Sequence, residues 1–207
     1  GQLHGGAFSG YGIGRIHSPA RILEVPFLFA DLEEIDVVRE EYMPSFKQGF
    51  RDRGYELLGW MEVGSIHFFS SHPIGSLDDL RQRKIWLWQG DPLAEAWFRS
   101  AGISPVPLSI TDVYTSLSTG LIDTVYSTPL AATALQWYTK VDYMTGLPMA
   151  NGIGALVVSR RFFDRLPEDL QDLLRRTADE TGRKLTALTR EESGESIEVL
   201  EREGIKV

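Results

Sequence analysis

Four histidines, a cluster of glycines, adjacent carboxylates and two alternating tryptophans are the residues whose types and spacing bear on chemistry here. His4, His17, His67 and His72 never stand at the i, i+4 spacing that offers two imidazoles to a metal from one helical face. They read as surface or core residues. No serine lies in G-x-S-x-G, and Gly10, Gly12 and Gly14 miss both the G-x-G-x-x-G fingerprint and the P-loop. A flexible turn, not a phosphate cradle, is expected there. Glu33 with Glu34, Glu40 with Glu41 and Glu191 with Glu192 fall in polar helical stretches and read as solvated faces. With no cysteine in the chain, disulfides, thiolate nucleophiles, zinc fingers and iron–sulfur ligation drop out. No nucleophile, metal cluster or acid–base pair can be assembled, so neither an enzyme nor a cofactor is expected.

The unusual feature is aromatic. Trp86 and Trp88 alternate along KIWLW, 84–88; Gln89 follows them, and Phe68 and Phe69 lie on the strand before. Period-two spacing puts both indoles on one face. Two readings stay open: core packing, since indoles carry large buried area wherever they fall, or a ligand-stacking wall. The latter would sit at the carboxyl end of the strand, the usual place for crevices in open α/β sheets.

The elements that must position these residues follow from pattern and punctuation. RILEVP, 21–26, reads as a buried strand ended by Pro26, and Asp31 with Glu34 makes a capping box for a helix that Pro44 divides. A second helix then carries Phe46 and Phe50 to Gly54. YELLGWM and SIHFFSS read as two strands, followed by a short helix capped by Ser76 and the KIWLW strand. Asp91-Pro92 starts a helix closed by Gly102, with Leu93, Ala96 and Trp97 on its buried face. Ser109 and Asp112 repeat that start signal ahead of a helix ended by Gly120. DTVYS is a strand, Pro129 opens a helix through Trp137, and KVDYMTGL and GIGALVVS supply two more strands. From Pro167 the longest helix carries an apolar stripe of Leu170, Leu173, Leu174, Ala178, Leu185 and Leu188. Alternating strands and helices imply an α/β fold with substantially parallel sheet.

Composition sets the outer bounds. The chain's 207 residues suffice for one large domain or two small lobes, each with a core, and 43% hydrophobic with 24% charged residues is globular. No apolar run approaches the length of a membrane span, so a soluble protein is expected. The 21 Lys and Arg against 29 Asp and Glu give a net charge of −8 without a basic block, which argues against nucleic acid as a partner. The opening Gly1 and Gln2 show no Met, basic segment or apolar stretch, so a targeting segment is expected to be removed or to lie outside this chain.

Together, four segments resemble the substrate-binding proteins of TRAP transporters, the DctP family. They are ILEVPFLFADLEEIDVV at 22–38, GSLDDLRQRKIWL at 75–87, SPVPLSITDVYTSLSTGLIDTVYSTPL at 104–130 and VVSRRFFDRLPEDLQDLLRRTADE at 157–180. The resemblance implies a periplasmic, two-lobed α/β receptor, not an enzyme. Such a receptor closes over a small organic ligand and delivers it to an ion-gradient-driven membrane permease. It also implies lobe one from residues 1–63 with 152–190, lobe two from 64–151 with 191–207, and a long C-terminal helix bridging them. Because the family's first strand–helix–strand unit normally precedes GQLHGGAF, lobe one is expected to be incomplete, with an exposed sheet edge. GAFSGYG and STPLAATALQW further resemble a subgroup whose receptors work with a TPR-containing lipoprotein.

Departures from the family pattern bear on the ligand. The arginine that commonly pairs with the ligand carboxylate is here Trp86, a second falls at Ile66 beside His67, and a familiar asparagine is replaced near Ser127 and Thr128. Charge-assisted hydrogen bonds contribute roughly 1.5–3 kcal/mol each, so a simple dicarboxylate fits poorly without them. The expected ligand is an apolar or amphipathic acid with Trp86, Trp88 and Phe68 as the wall and Gln89, Tyr126 and Ser127 as polar fixings. Phe8 and Tyr11 of lobe one are expected to close the other side. The alternative is a periplasmic sensory or interaction module that kept the fold without transport.

Overall fold

The computed structural model describes residues 3–207. Strand β1 (Gly5–Ser9) leads into helix α1 (Gly10–Ile16), a 3-10 turn over Ser18–Glu24, helix α2 (Leu32–Asp52) and the long strand β2 (Tyr55–Ser70). Then come α3 (Leu77–Arg81), β3 (Trp86–Trp88), α4 (Pro92–Ser100), β4 (Val106–Leu108), a 3-10 turn at Ile110–Asp112 and α5 (Val113–Thr119). The chain continues through β5 (Thr124–Ser127), α6 (Pro129–Ala134), a 3-10 turn at Trp137–Lys140 and β6 (Tyr143–Met144). It ends with β7 (Ala150–Ser159), α7 (Arg160–Phe163) and α8 (Glu168–Arg202). Helices and strands are mixed in an α/β architecture that closes with the long helix α8. The chain divides into two compact units, Gly1–Gly64 with Asn151–Arg190 and Ser65–Ala150 with Glu191–Val207. Accordingly β2, β7 and α8 each contribute residues to both.

In the first unit β1 pairs antiparallel with β7, Gly5 opposite Val158 through Ser9 opposite Gly154, and β7 neighbours β2. β1 ends this path and is largely exposed. Ile13, Leu23, Ile35, Phe46, Phe50, Ile153 and Val157 form the core between this sheet and α1 and α2. The glycine-rich start is therefore ordered as strand and helix, not a flexible turn. Its glycines serve close approach: a Cβ on Gly10 would collide with the Glu24 carboxylate, and one on Gly14 would meet Arg21 Cδ at 2.5 Å.

RILEVP is not a strand. Ala20, Leu23 and Glu24 bury one side of a 3-10 turn that Pro19 helps to start, and a short apolar run does not by itself distinguish the two. Nor does Pro44 divide α2, which runs unbroken with Asp31 accepting the Glu34 N–H at 2.9 Å and Glu34 accepting from Ala30 N–H at 2.8 Å. Pro44 and Glu40 both face solvent, where water can take the carbonyl that proline leaves unpaired.

The two strands expected over 55–71 are one, β2, carried past its middle by Gly64 at φ 115°. Helix α8 lies along β2 through a ridge of small residues four apart. A Cβ on Gly59 would stand 2.7 Å from the Ala178 carbonyl oxygen, one on Gly182 would strike the Trp60 carbonyl, and Thr186 Oγ1 accepts the Glu62 N–H at 3.2 Å. Backbones this close leave no room for leucine. Of the sequence stripe only Ala178 is buried, and Leu170, Leu173, Leu174, Leu185 and Leu188 remain exposed.

In the second unit β2 pairs antiparallel with β5 and β6, while β3 and β4 pair in parallel. Antiparallel pairing therefore dominates among the described residues, contrary to the expected parallel sheet, because the long β2 is flanked by returning strands. Successive residues serve opposite faces. Phe69 and Trp86 join a core with Val113, Ile122, Val125, Trp137 and Leu200, while Phe68 and Leu87 join Ile85, Phe98 and Ile103 on the other side. Asp91 caps α4 as expected, accepting from Leu93 and Ala94 N–H, but the buried anchor is Phe98; Ala96 is exposed. Helix α6 stops at Ala134, short of Trp137, where Gln136 turns left-handed at φ 57°.

Candidate functional site

The carboxyl end of β3 and the neighbouring β5 gather most of the sequence-selected residues of the second unit. Trp86 lies 5.2 Å from Tyr126 in a stacked pair, 5.6 Å from Trp88 and 5.3 Å edge-on from Trp137. Both indoles of β3 share a face because β-strand side chains alternate. Their exposure nevertheless differs. Trp86 is 2% exposed and its indole Nε1–H donates to the Leu108 carbonyl at 3.0 Å, so its polar group is consumed inside the fold. Trp88, one step nearer the strand end, is half-buried, and its backbone N–H donates to the Tyr126 hydroxyl at 3.1 Å.

Gln89 follows on an exposed position, its backbone N–H donating to Leu108 O at 3.3 Å. Tyr126 and Ser127 are half-buried on β5, opposite Phe68 and His67 of β2. Phe68 itself is buried against Trp97 at 6.3 Å between centroids. The structure thus brings Trp86, Trp88 and Tyr126 into contact and leaves Trp88, Gln89 and Ser127 reachable, with Trp86 behind Trp88, whereas Phe68 packs in the core on the opposite face with Leu87, Trp97 and Phe98 and does not join that wall. In the first unit, Phe8 is exposed on β1 and Tyr11 half-buried at the start of α1.

Sequence reasoning passed over His67 as an ordinary core residue. It is buried, and its Nδ1 lies 2.7 Å from the Thr145 carbonyl oxygen. A carbonyl only accepts, so Nδ1 carries the proton and Nε2 is the acceptor of the neutral ring. Burial, partly opposed by the Thr145 contact, holds its pKa below the usual histidine value. The signal in the sequence was its place immediately before Phe68 on the SIHFFSS strand; its position opposite Ser127 came only with the pairing of β2 and β5. Among the described residues, no group of three or more His, Asp or Glu is placed to hold a metal ion, and no helix is long and apolar enough to cross a membrane.

Comparison with known proteins agrees with this architecture. The family model described as DctP, bacterial extracellular solute-binding protein family 7, matches residues 1–207. Relatives include the uncharacterized protein YiiZ of Salmonella typhimurium, 31% identical over 127 residues covering 60% of this chain and 38% of that protein. Another is the 2,3-diketo-L-gulonate-binding periplasmic protein YiaO of Escherichia coli, 24% identical, covering 90% of this chain and 57% of YiaO. This chain therefore spans roughly two to three fifths of these curated relatives. A crystal structure of DctP7, a Bordetella pertussis extracytoplasmic solute receptor binding pyroglutamic acid, superposes with a TM-score of 0.91 at 19% identity over 100% of this chain and 68% of that one. A TRAP periplasmic solute-binding protein from Sulfitobacter with bound β-D-galacturonate gives the same TM-score at 20% identity, covering 100% of this chain and 69% of that one. With a family match along its whole length and the same fold in solved members, the chain belongs to the DctP family of bacterial extracellular solute-binding proteins.

Proposed function

We propose that this chain is the ligand-recognising part of an extracytoplasmic, periplasmic solute receptor that hands a small organic acid to a TRAP-type membrane permease. Relatives that bind pyroglutamic acid, galacturonate or 2,3-diketo-L-gulonate support the receptor class and a small acidic ligand. Within that class the ligand is apolar or amphipathic. The observation that carries this is Trp86: where the family resemblance puts a carboxylate-pairing guanidinium, a buried indole stands with its N–H already donated to Leu108. A carboxylate brought there would lose its hydration without gaining a charged partner.

Trp88 then supplies the reachable stacking surface, backed by Trp86, and Gln89, Tyr126 and Ser127 supply hydrogen bonds to the polar end. Phe8 and Tyr11 are the first unit's candidates, each tested on its own. The deciding experiment is mass spectrometry of small molecules released on denaturing full-length protein purified from its own host. A lipophilic or amphipathic acid is expected; a short polar carboxylate overturns the ligand reading while leaving the receptor reading intact. The TPR-containing lipoprotein is a further proposed partner, supported by the GAFSGYG and STPLAATALQW segments alone. Failure to recover any TPR protein with the receptor from a periplasmic extract removes it.

A further inference from the structure

His67 is a buried polar residue of the second unit that the proposed site leaves unused, and its surroundings say which solute group it takes. Period two along each strand puts His67 on the face of Phe69, Ser127 on that of Val125 and Trp88 on that of Trp86. Phe69, Val125 and Trp86 belong to one core cluster, with Trp88 packed against it. His67, Ser127 and Trp88 therefore share one face, each one step beyond a sealed core residue. His67 and Ser127 are also direct partners in the antiparallel β2–β5 ladder, a position that brings two side chains to about 5 Å at Cβ.

Hydrogen bonding on that face is incomplete. With Nδ1–H donated to the Thr145 carbonyl, Nε2 presents a lone pair, and among the described residues no hydrogen bond reaches either Nε2 or the Ser127 hydroxyl. Farther along the same ladder the hydroxyls of Ser70 and Thr124 bond each other at 2.8 Å. Among the described residues, the side-chain atoms both unpaired and sealed from solvent are His17 Nε2 and the Asn151 amide. His67 Nε2 is thus unpaired yet reachable through a narrow opening, in a residue only 4% exposed. An opening of that size admits a small group, not a segment of chain. A carboxylate oxygen set against the lone pair is repelled. A hydroxyl or N–H is accepted there, and a solute hydroxyl can take the Ser127 proton in return.

We propose that His67 Nε2 and the Ser127 hydroxyl form a neutral subsite for a hydroxyl or N–H group beside the solute's carboxylate, which makes His67 a specificity-determining residue. This rests on the reading of the solute as an apolar or amphipathic acid stacked on Trp88. The donor group falls beside the carboxylate because Ser127 adjoins Tyr126 on β5, and Tyr126 and Gln89 then serve the carboxylate itself. The test compares phenylpropionate, its α-hydroxy derivative and its α-fluoro derivative on the full-length protein by calorimetry. The fluoro acid is close to the hydroxy acid in size but has no proton to donate. The hydroxy acid is expected to bind about fivefold or more tightly than either of the others. His67→Asn keeps a donor towards Thr145 but removes Nε2, and it should erase that preference while leaving phenylpropionate binding unchanged. His67→Gln, which can set its carbonyl where Nε2 stood, should retain part of the preference.

Nitrogen NMR of the histidine-labelled full-length protein adds a direct readout: the His67 Nε2 resonance should move on addition of the hydroxy acid and stay in place with the fluoro acid. Equal affinity for the three acids overturns the proposal and leaves the apolar-acid reading standing, whereas failure of all three to bind overturns both. Equal weakening of all three by His67→Asn marks a structural role and overturns the proposal. So does an Nε2 resonance that no acid moves, which is the behaviour of a ring covered by another part of the same protein.

Discussion

At the scale of single residues, two tryptophans two positions apart have different work, and burial decides which. Trp86→Ala should lower unfolding free energy by about 3–5 kcal/mol, because it opens a cavity among Tyr126, Trp88 and Trp137. Trp88→Ala, at a half-buried position, should cost far less stability and instead weaken ligand binding by about tenfold or more. Urea titration and calorimetric binding on the two variants separate these roles, and the reverse pattern would move the stacking surface elsewhere. His67 makes a pH prediction. Its folded-state pKa lies below that of the unfolded chain, so the unfolded state takes up a proton first as pH falls below about 6.5. Stability is therefore full above that pH and declines below it. His17 is shifted the same way by burial, whereas Asp36 and Glu56, held below the usual carboxylate range, add stability that is fully present above about pH 4.5 and is lost only as pH falls further. Denaturant midpoints at successive pH values should show a shallower decline in His67→Gln than in the parent.

At the scale of elements, the contact of α8 with β2 depends on having almost no side chain there. Gly182→Val would drive branched carbons into the Trp60 carbonyl and should destabilise by roughly 1–3 kcal/mol or more, measurable as a lower denaturant midpoint. If Gly182→Val leaves the midpoint unchanged, the helix does not lie on that strand. The N-caps were readable because their chemistry is local: Asp91 followed by Pro92, and Asp31 with Glu34, act within one turn. The 3-10 turn over Ser18–Glu24 was not readable as helical, since four apolar residues within RILEVP satisfy either geometry until a packing partner is known. The same limit applies to α8, where the leucine spacing signalled the helix correctly and its buried side incorrectly.

At the scale of the whole molecule, β2 and α8 both run from the first unit into the second, and a charge cluster joins them just before they do so. Arg190 on α8 forks to Asp36 of α2 at 2.8 and 2.9 Å and pairs with Glu62 of β2, whose side chain is 2% exposed. Those two carboxylates raise the Arg190 pKa above its already high value. Arg190→Met leaves Glu62 buried with Arg39, 3.7 Å away, as its remaining cationic partner among the described residues and should cost about 2–3 kcal/mol. A loss no larger than that of an exposed pair such as Arg99 with Glu95 would show that the cluster is solvated in solution.

The sequence by itself determined the family, the two-lobed α/β class, the positions of most helices and the shared face of Trp86 and Trp88. Each of these rests on local periodicity, on capping chemistry or on the order of motifs along the chain. Only the tertiary structure decided that Trp86 is sealed in with its N–H spent on Leu108 while Trp88 stays reachable, that the early glycines admit Glu24 and Arg21, and that α8 meets β2 through Ala178, Gly182 and Thr186. Those outcomes depend on which atoms from distant parts of the chain compete for the same space, and spacing along one strand or helix carries no record of that competition.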